Sequence, residues 1–221
     1  MTYQWHFQVV WQNLPFLLQG LGMTVAATVL SMLVGLVGGL LIALMRLSAW
    51  RGFRMPAIAF TEAFRTTPLL VQIVWVYTVL PLSTGIMLSP FTSGLVALGL
   101  NVAAFMSEIY RAGITSVSPF QTQAGLALGM TRWQVLRRVV LPQAVRRVIP
   151  PTASMWVGLF KDTSLLAAIG VAEVMYQARV IAAETFRPLE IFTATALIYF
   201  LLTYPQSLAV NRLFKRLRVQ E

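Results

Sequence analysis

The stretch LLQGLGMTVAATVLSMLVGLVGGLLIALM, residues 17–45, contains no charged side chain in 29 residues. A helix that crosses a bilayer needs about 20 consecutive apolar residues, so this stretch is long enough for one tilted span. The remainder of the chain has the same character, because 57% of its 221 residues are hydrophobic and only 11% are charged. That charged fraction is about half of what a soluble domain carries. The sequence therefore predicts a polytopic membrane protein of the all-α class.

Further spans follow along the chain with less regular boundaries. Residues 66–107 also lack charge, which is too long for one helix, and turn-forming residues between Pro81 and Pro90 divide them. Lys161 and Asp162 interrupt the next apolar segment. In the first span, Gly35, Gly38 and Gly39 favour close helix packing. We expect one transmembrane domain over residues 1–221, with five spans at about 18–46, 58–80, 91–113, 143–165 and 190–212.

The basic residues predict how these spans are oriented. Of the 17 Lys and Arg, 13 follow the first, third and fifth spans, whereas the opposite loops contain only Arg179 and Arg187. Since cytoplasmic loops carry the excess of Lys and Arg, we expect the N-terminus outside and the C-terminus inside. Topology thus accounts for the formal net charge of +10, and we expect no nucleic-acid partner. The 13 residues are Arg46, Arg51, Arg54, Arg111, Arg132, Arg137, Arg138, Arg146, Arg147, Arg212, Lys215, Arg216 and Arg218.

The composition also excludes several kinds of chemistry. The chain has no cysteine, one histidine, His6, and one aspartate, Asp162. A disulfide, a thiol nucleophile, a two-histidine metal motif and an aspartyl dyad are therefore impossible. We expect no catalytic residue and no metal site. No Thr-Val-Gly-Tyr-Gly run is present, which argues against a potassium-channel filter.

Aromatic residues are frequent before the first span. Trp5, Val9, Trp11 and Phe16 favour a helix that lies in the membrane interface on the outer face. A flexible outer tail is the alternative.

Residues 118–142 are the most informative part of the chain. Ser118-Pro119-Phe120-Gln121 fits a capping box with proline at the first helical position. Gly129 suits the left-handed conformation that ends a helix, and Thr131–Gln134 offers a second capping box. The sequence therefore predicts two helices that meet at a sharp elbow at Gly129 and Met130.

The first of these helices has an apolar face. Phe120, Ala124 and Leu128 recur at i, i+4 and i+8, so they share one side of a helix that is too short to span a membrane. On these residues alone, the helix is either a docking element for a partner or an amphipathic connector that rests on lipid headgroups.

The spacing within this segment resembles a known motif. Gln123-Ala124-Gly125, then Gly129, then Val139-Val140-Leu141-Pro142 is similar to the EAA loop of permeases of ATP-binding cassette importers, with every interval reproduced. Gln123 stands where that family usually has Glu, and Gly125 where it usually has Ala. Three other stretches, 62–72, 107–114 and 161–165, are similar to blocks of the polar amino acid uptake family of permeases.

This resemblance implies a type I importer fold with five transmembrane helices and a cytoplasmic coupling helix. It implies a bacterial inner-membrane permease that pairs with an identical or homologous permease, contacts two ATPase subunits and receives a polar amino acid from a periplasmic binding protein. ATP and Mg would be bound by the ATPase, so the resemblance implies no cofactor and no enzyme activity in this chain. The implied coupling-loop residues are Phe120, Gln123, Ala124, Gly125, Leu128, Gly129, Leu141 and Pro142.

In such an importer, the helix from Trp133 onward would connect the elbow to the fourth span. We expect breaks at Pro142, Pro150 and Pro151, which would make the transmitted motion a rigid-body rocking. The similarity over 127–131 and 162–165 favours an acidic or other polar amino acid without identifying it.

Polar residues within or beside the spans are candidates for the substrate path or gate, because such residues are costly in a membrane. Glu62 with Arg65 and Glu108 with Arg111 are spaced i, i+3, so ion pairing within one helix is the alternative. For uncharged residues the alternative is helix packing, and for residues 161–164 it is a helix end capped by Asp162. The candidates are Glu62, Arg65, Thr67, Pro68, Gln72, Asn101, Glu108, Lys161, Asp162, Thr163 and Ser164.

A second function is compatible with these residues. A proton-coupled secondary amino acid transporter could use Glu108 as its proton carrier, although five spans without a repeated half argue against it.

Overall fold

A computed structural model describes residues 3–216, and the regular structure in this range is helical. Arg218, one of the basic residues counted above, lies outside these residues. The α-helices are α1 Gln8–Gln12, α2 Leu14–Leu47, α3 Arg51–Thr66, α4 Leu69–Val74, α5 Leu80–Thr84, α6 Pro90–Thr115, α7 Pro119–Ala127, α8 Arg132–Val135, α9 Leu141–Asp162, α10 Val174–Thr185 and α11 Pro188–Arg216. Two π-helical turns, Trp75–Val79 and Leu136–Val140, and a 3₁₀ helix, Thr163–Ile169, join some of them directly.

Within the described residues, three helices are long and apolar enough to cross a membrane. These are α2, α6 and α11. Two bent pairs, one divided near Pro68 and the other near Gly170, raise the number to five if each pair is counted as one span. The all-helical class predicted from composition is confirmed.

The segment expected as one span over 58–80 is divided by Thr67 and Pro68. Pro68 adopts φ −58° and ψ 133°, which is extended, and proline disfavours a helical conformation for the residue that precedes it. Helix α3 consequently ends at Thr66, and α4 begins at Leu69. The helix beyond the break continues through a π-helical turn to Thr84.

The chain forms two compact units. The first comprises the residues up to Leu33, Thr67–Gly99 and Trp156–Ser207. In its core, Leu17 of α2 packs with buried side chains of α10 and α11. A Cβ added at Gly20 would lie 2.9 Å from the backbone nitrogen of Val174, so α2 and the start of α10 are in direct backbone contact. The side chains packed with Leu17 are Ala178, Ile181, Ala182 and Ile191.

The second unit comprises Val34–Thr66, Leu100–Met155 and the described residues from 208 to 216. Here α2 and α6 approach closely at two glycines. A Cβ added at Gly35 would lie 2.2 Å from Val102 Cγ1, and one added at Gly39 would lie 2.5 Å from Met106 Cβ. The close packing predicted from these small residues is confirmed.

The expected helix breaks at Pro150 and Pro151 are wrong. Helix α9 continues through both residues. The φ of proline, about −65°, is compatible with a helix, although each proline lacks the amide hydrogen for one helical hydrogen bond. The irregularity instead precedes Pro142, where residues 136–140 form a π-helical turn.

Candidate coupling loop and substrate path

The elbow predicted between the two helices of residues 118–142 is confirmed. Gly129 has φ +80°, the left-handed conformation that glycine adopts without steric cost. The amide of Met130 donates to the carbonyl of Gly125 at 3.1 Å, and the amide of Gly129 donates to Leu126 at 3.0 Å. These two bonds form a Schellman motif, which satisfies the last carbonyls of α7 and fixes the direction of the following chain.

Of the two predicted capping boxes, one is confirmed and one is wrong. Thr131 Oγ1 accepts from the amide of Gln134 at 3.3 Å, and the amide of Thr131 donates to Gln134 Oε1 at 2.8 Å. Ser118 makes no side-chain cap. Gln121 cannot reach back to it because its side-chain oxygen accepts from Gln143.

The apolar side of α7 faces away from its own unit. Phe120 is 79% exposed, Leu128 is 83% exposed, and Ala124 is also exposed. We call these three residues the coupling face. On the other side of α7, Gly125 is buried, and a Cβ there would lie 2.9 Å from Val135 Cγ2. The glycine that departs from the family pattern therefore allows α7 to pack closely on α8.

The other predicted loop residues lie at the surface. Gln123, Leu141 and Pro142 are exposed, and the last two follow directly after the π-helical turn. The absent carboxylate at position 123 therefore leaves no buried partner unpaired.

In the second unit, Glu108 lies between two arginines. It pairs with Arg111 of its own helix, as the i, i+3 spacing predicts, and with Arg46 of α2 at 2.7 Å. The side chain of Arg46 is only 9% exposed, so the pair is largely shielded from solvent. An open pocket of about 340 Å³ adjoins this cluster, and Ser116 and Arg147 line it together with Glu108. Sequence spacing missed Arg46, because no local pattern shows which residue of another helix faces a given carboxylate.

The ion pair of Glu62 with Arg65, which was the alternative to a role in the substrate path, is not formed among the side chains that the structure describes. Both residues are exposed, and the Arg65 guanidinium carbon lies 5.6 Å from the centroid of the Phe105 ring. This is cation–π distance.

Asn101 has the helix-packing role that was the alternative to substrate contact. Its Nδ2 donates to the carbonyl of Phe64 at 3.1 Å, which ties α6 to α3. Thr61 and Ser107, whose hydroxyls lie 3.2 Å apart, link the same two helices.

In the first unit, the residues beside the Thr67–Pro68 break are connected by Gln72. This buried side chain donates from Nε2 to the carbonyl of Thr67 at 2.9 Å. Thr67 and Pro68 themselves are exposed. Helix α4 contacts the 3₁₀ helix Thr163–Ile169, so the first unit brings two predicted parts of the path together.

The 161–164 stretch lies where α9 changes into this 3₁₀ helix. Asp162 makes no side-chain cap, so the alternative of a helix end capped by Asp162 is wrong, because the chain remains helical and leaves no free N-terminus for Asp162 to cap. Thr163 is buried and donates to the carbonyl of Phe160 at 2.7 Å, whereas Ser164 donates to Lys161 at 2.7 Å.

Two fully buried glutamates were missed by sequence reasoning, Glu173 and Glu190. Glu173 accepts from the amides of Met175 and Tyr176 and from the hydroxyl of Tyr199, all within 2.9 Å. It thereby caps α10 and fastens it to α11. Glutamate is not among the preferred N-cap residues, and Tyr199 is distant in the sequence, so no spacing rule identifies it.

The long apolar helices, the partly shielded cluster of Glu108 with two arginines and the exposed elbow at Gly129 together define a multi-pass helical membrane protein. Comparison with known proteins gives the particular family. Residues 35–219 match the family described as "Binding-protein-dependent transport system inner membrane component", and the chain belongs to this family.

The relatives support the same assignment over nearly the whole chain. The chain is 38% identical over 218 residues to the glutamine transport system permease protein of Escherichia coli (strain K12), covering 98% of this chain and 99% of that protein. It is 35% identical over 221 residues to a glutamate/aspartate import permease protein of Escherichia coli O6:H1, covering 97% and 99%. A chain from the crystal structure of an amino acid ABC transporter with histidines matches with a TM-score of 0.92 at 33% identity, covering 97% and 100%.

The predicted fold and class are therefore confirmed. The chain has the fold of type I importer permeases and is a multi-pass inner-membrane component of a transport system. The family implies that an ATPase and a binding protein work with it. It does not favour the proton-coupled secondary transporter.

Proposed function

We propose that this chain is the permease subunit of an ATP-binding cassette importer for a polar amino acid and that residues 118–142 couple it to ATP hydrolysis. The observation that carries the proposal is the coupling face, an apolar surface on a short helix whose direction is fixed by Gly129. The printed names of its relatives, which refer to glutamine, glutamate and aspartate, support a polar amino acid as substrate.

The complex that this function requires contains more than this chain. We infer two ATPase subunits that bind ATP and Mg, a second permease that is identical or homologous, and a periplasmic binding protein. The distribution of Lys and Arg supports an N-terminus outside and a C-terminus inside.

In this arrangement, the permease performs no covalent chemistry. ATP binding closes the ATPase pair, and an elbow seated in each ATPase follows that displacement. Helix α9 begins at the end of the loop and belongs to the second bent pair, which is a candidate span, so it transfers the movement to that span. The energy comes from the higher affinity of the nucleotide for the closed state, which is coupled to the outward-open permease.

A zwitterionic amino acid needs an acceptor for its ammonium group and a donor for its carboxylate, because unpaired charges in a membrane are costly. Glu62 in the second unit and Lys161 in the first are exposed ionisable residues of the predicted path, and each is a candidate contact. Glu108 is instead neutralised by two arginines, which suits an inner gate.

Cross-linking tests the coupling role directly. The chain has no cysteine, so Ala124→Cys and Leu128→Cys can be labelled individually with a benzophenone maleimide in the assembled transporter. The matched control is Thr122→Cys, on the side of α7 that faces the groove beside Val135. We expect photo-adducts with the ATPase from positions 124 and 128 and much weaker adducts from 122. Absence of ATPase adducts at 124 and 128 would contradict the proposal.

Transport in proteoliposomes tests the energy source. Uptake of labelled glutamine, glutamate or aspartate should require the loaded binding protein and internal ATP, and it should persist with a protonophore. Uptake that survives omission of the ATPase and collapses with the proton gradient would instead support the secondary transporter.

A further inference from the structure

Buried Glu190 fastens the N-terminal segment to the start of α11. Its Oε2 accepts from the hydroxyl of Tyr3 at 2.6 Å, and its Oε1 accepts from the main-chain amide of His6 at 2.9 Å. Arg187 lies 3.7 Å from the same carboxylate and also donates to the carbonyl of Gln4 at 3.3 Å. Residues 3–6 are therefore held in place by contacts that cross more than 180 positions of sequence.

The segment has an inner side. Val9 and Val10 of α1 are partly buried and pack against the cluster around Leu17. Together with the bonds to Glu190, this packing makes the segment an ordered part of the first unit.

The opposite side of the segment is aromatic and exposed. Trp5 is 52% exposed and Trp11 is 72% exposed, and Phe7 and Phe16 are exposed as well. The rings of Trp5 and Phe7 stack with centroids 5.4 Å apart and planes within 1° of parallel. We call Trp5, Phe7, Trp11 and Phe16 the aromatic face.

We propose that the aromatic face is a membrane-interface anchor that lies among the phospholipid headgroups and first acyl carbons, and that Glu190 positions it there. The first 45 residues contain no Lys, Arg, Asp or Glu, and the adjoining Arg187 is engaged by Glu190 and by the carbonyl of Gln4, so the aromatic face is itself uncharged, unlike the polar rim of a protein interface. It is also continuous with the surface of the membrane span α2, on which Leu18 and Val25 are exposed. Tryptophan is enriched at the headgroup level, where its ring is apolar and its N–H remains hydrated.

The consequence is a fixed depth for the first unit. Because the same carboxylate holds the segment and belongs to α11, an anchored aromatic face would set the depth of α11 as well as that of α2. The anchor is separate from the coupling loop and does not depend on the transported solute.

Spin labelling tests the anchor in the complete transporter. Gln8→Cys places a nitroxide on an exposed residue one helical turn from Trp11 and keeps all four rings. Leu82→Cys, at a residue that is 87% exposed near the end of α5 and beyond the expected span 58–80, provides the reference position. Both are reconstituted in phosphatidylethanolamine–phosphatidylglycerol vesicles, and the accessibility to oxygen and to nickel-EDDA is measured by power saturation.

We expect the label at position 8 to prefer oxygen over nickel-EDDA, in contrast to the label at 82. The double variant Trp5→Ala/Trp11→Ala should lose this preference. Trp50→Ala, which removes an exposed tryptophan outside the aromatic face, should retain it. Nickel accessibility equal to that at position 82 would overturn the proposal. Protection from both reagents would also overturn it, because the face would then be covered by protein.

The role of Glu190 has its own test. Glu190→Ala removes both acceptors, and Tyr3→Phe removes only one hydroxyl. With the label at position 8, we expect loss of the oxygen preference and a more mobile spectrum in Glu190→Ala, and a smaller change in Tyr3→Phe. The unchanged spectrum at position 82 confirms that the chain is folded. A spectrum at position 8 that neither variant alters would overturn the role of Glu190.

Discussion

Substitution of Gly129 tests the elbow on which the coupling role depends. Gly129 has φ +80°, and its amide donates to Leu126 at 3.0 Å. Proline has no amide hydrogen and a φ fixed near about −65°, so Gly129→Pro can neither adopt this conformation nor make this bond. We expect it to abolish stimulation of the partner ATPase by the loaded binding protein, while the chain still inserts in the membrane.

The expected effect of the milder substitution Gly129→Ala follows from the space around Gly129. A Cβ added at Gly129 meets no heavy atom within 4 Å, so Gly129→Ala pays only for its left-handed backbone, roughly 1–2 kcal/mol. This lowers the equilibrium ratio of the formed elbow to the unformed elbow by about 5- to 30-fold. Asparagine tolerates the left-handed conformation, so Gly129→Asn should remain close to wild type. The predicted order of ATPase stimulation is Gly, Asn, Ala, Pro.

Gly85→Pro is the matched control. Gly85 also has a positive φ, +74°, its amide donates a hydrogen bond to the carbonyl of Pro81 at 2.8 Å, and no heavy atom lies within 4 Å of an added Cβ. It lies outside residues 118–142, so its substitution should leave binding of the ATPase intact in a pull-down from detergent. Full ATPase stimulation by Gly129→Pro, or equal loss of ATPase binding in both proline variants, would refute the reasoning.

Three stability predictions can be measured by thermal unfolding in detergent. Gly39→Val should destabilise the chain by about 1–3 kcal/mol through overpacking. The control Gly22→Val should destabilise it less, because no heavy atom lies within 4 Å of a Cβ added at Gly22. Equal losses would contradict the close packing of α2 on α6 at Gly39. Glu173→Gln replaces one acceptor oxygen by an amide nitrogen, so a donor that now bonds to Glu173 loses its acceptor. We expect the free energy of unfolding to fall by about 1–3 kcal/mol, and an unchanged melting temperature would contradict this. Glu108→Gln should cost about 3–5 kcal/mol because Arg46 remains buried without a counter-charge, and the double variant with Arg46→Met should recover part of the loss.

Much of the fold could be predicted because its signals are local. Long stretches without charged residues revealed α2 and α6. The positions of Gly129 and Thr131 revealed the elbow, because a few consecutive residues decide where a helix ends. The Ser118 capping box failed for a non-local reason. Its partner Gln121 is occupied by Gln143, 22 residues further along the chain.

The buried charges could not be predicted for the same reason. Glu190 meets the N-terminal segment and Arg46 meets a residue of another helix, whereas spacing along one helix shows only neighbours at i, i+3 and i, i+4. The i, i+3 rule found Glu108 with Arg111, yet the same rule wrongly favoured Glu62 with Arg65, which is near Phe105 instead.

The sequence predicts that the helix from Trp133 onward connects the elbow to the fourth span, but in the structure this connecting helix is irregular, which matters for coupling. The π-helical turn at Leu136–Val140 lies between the elbow and α9. If movement were transmitted through this turn alone, the connecting helix would bend there. Two contacts bypass it, since Gln143 donates to Gln121 of α7 and Arg147 donates to the carbonyl of Ser116. On the far side of the turn, α9 is thus braced to α7 at Gln121 and to the chain just before α7 at Ser116. A displacement of the coupling face therefore reaches α9 through these braces as well as along the chain, which makes rigid-body rocking compatible with a π-helical turn in the connecting helix.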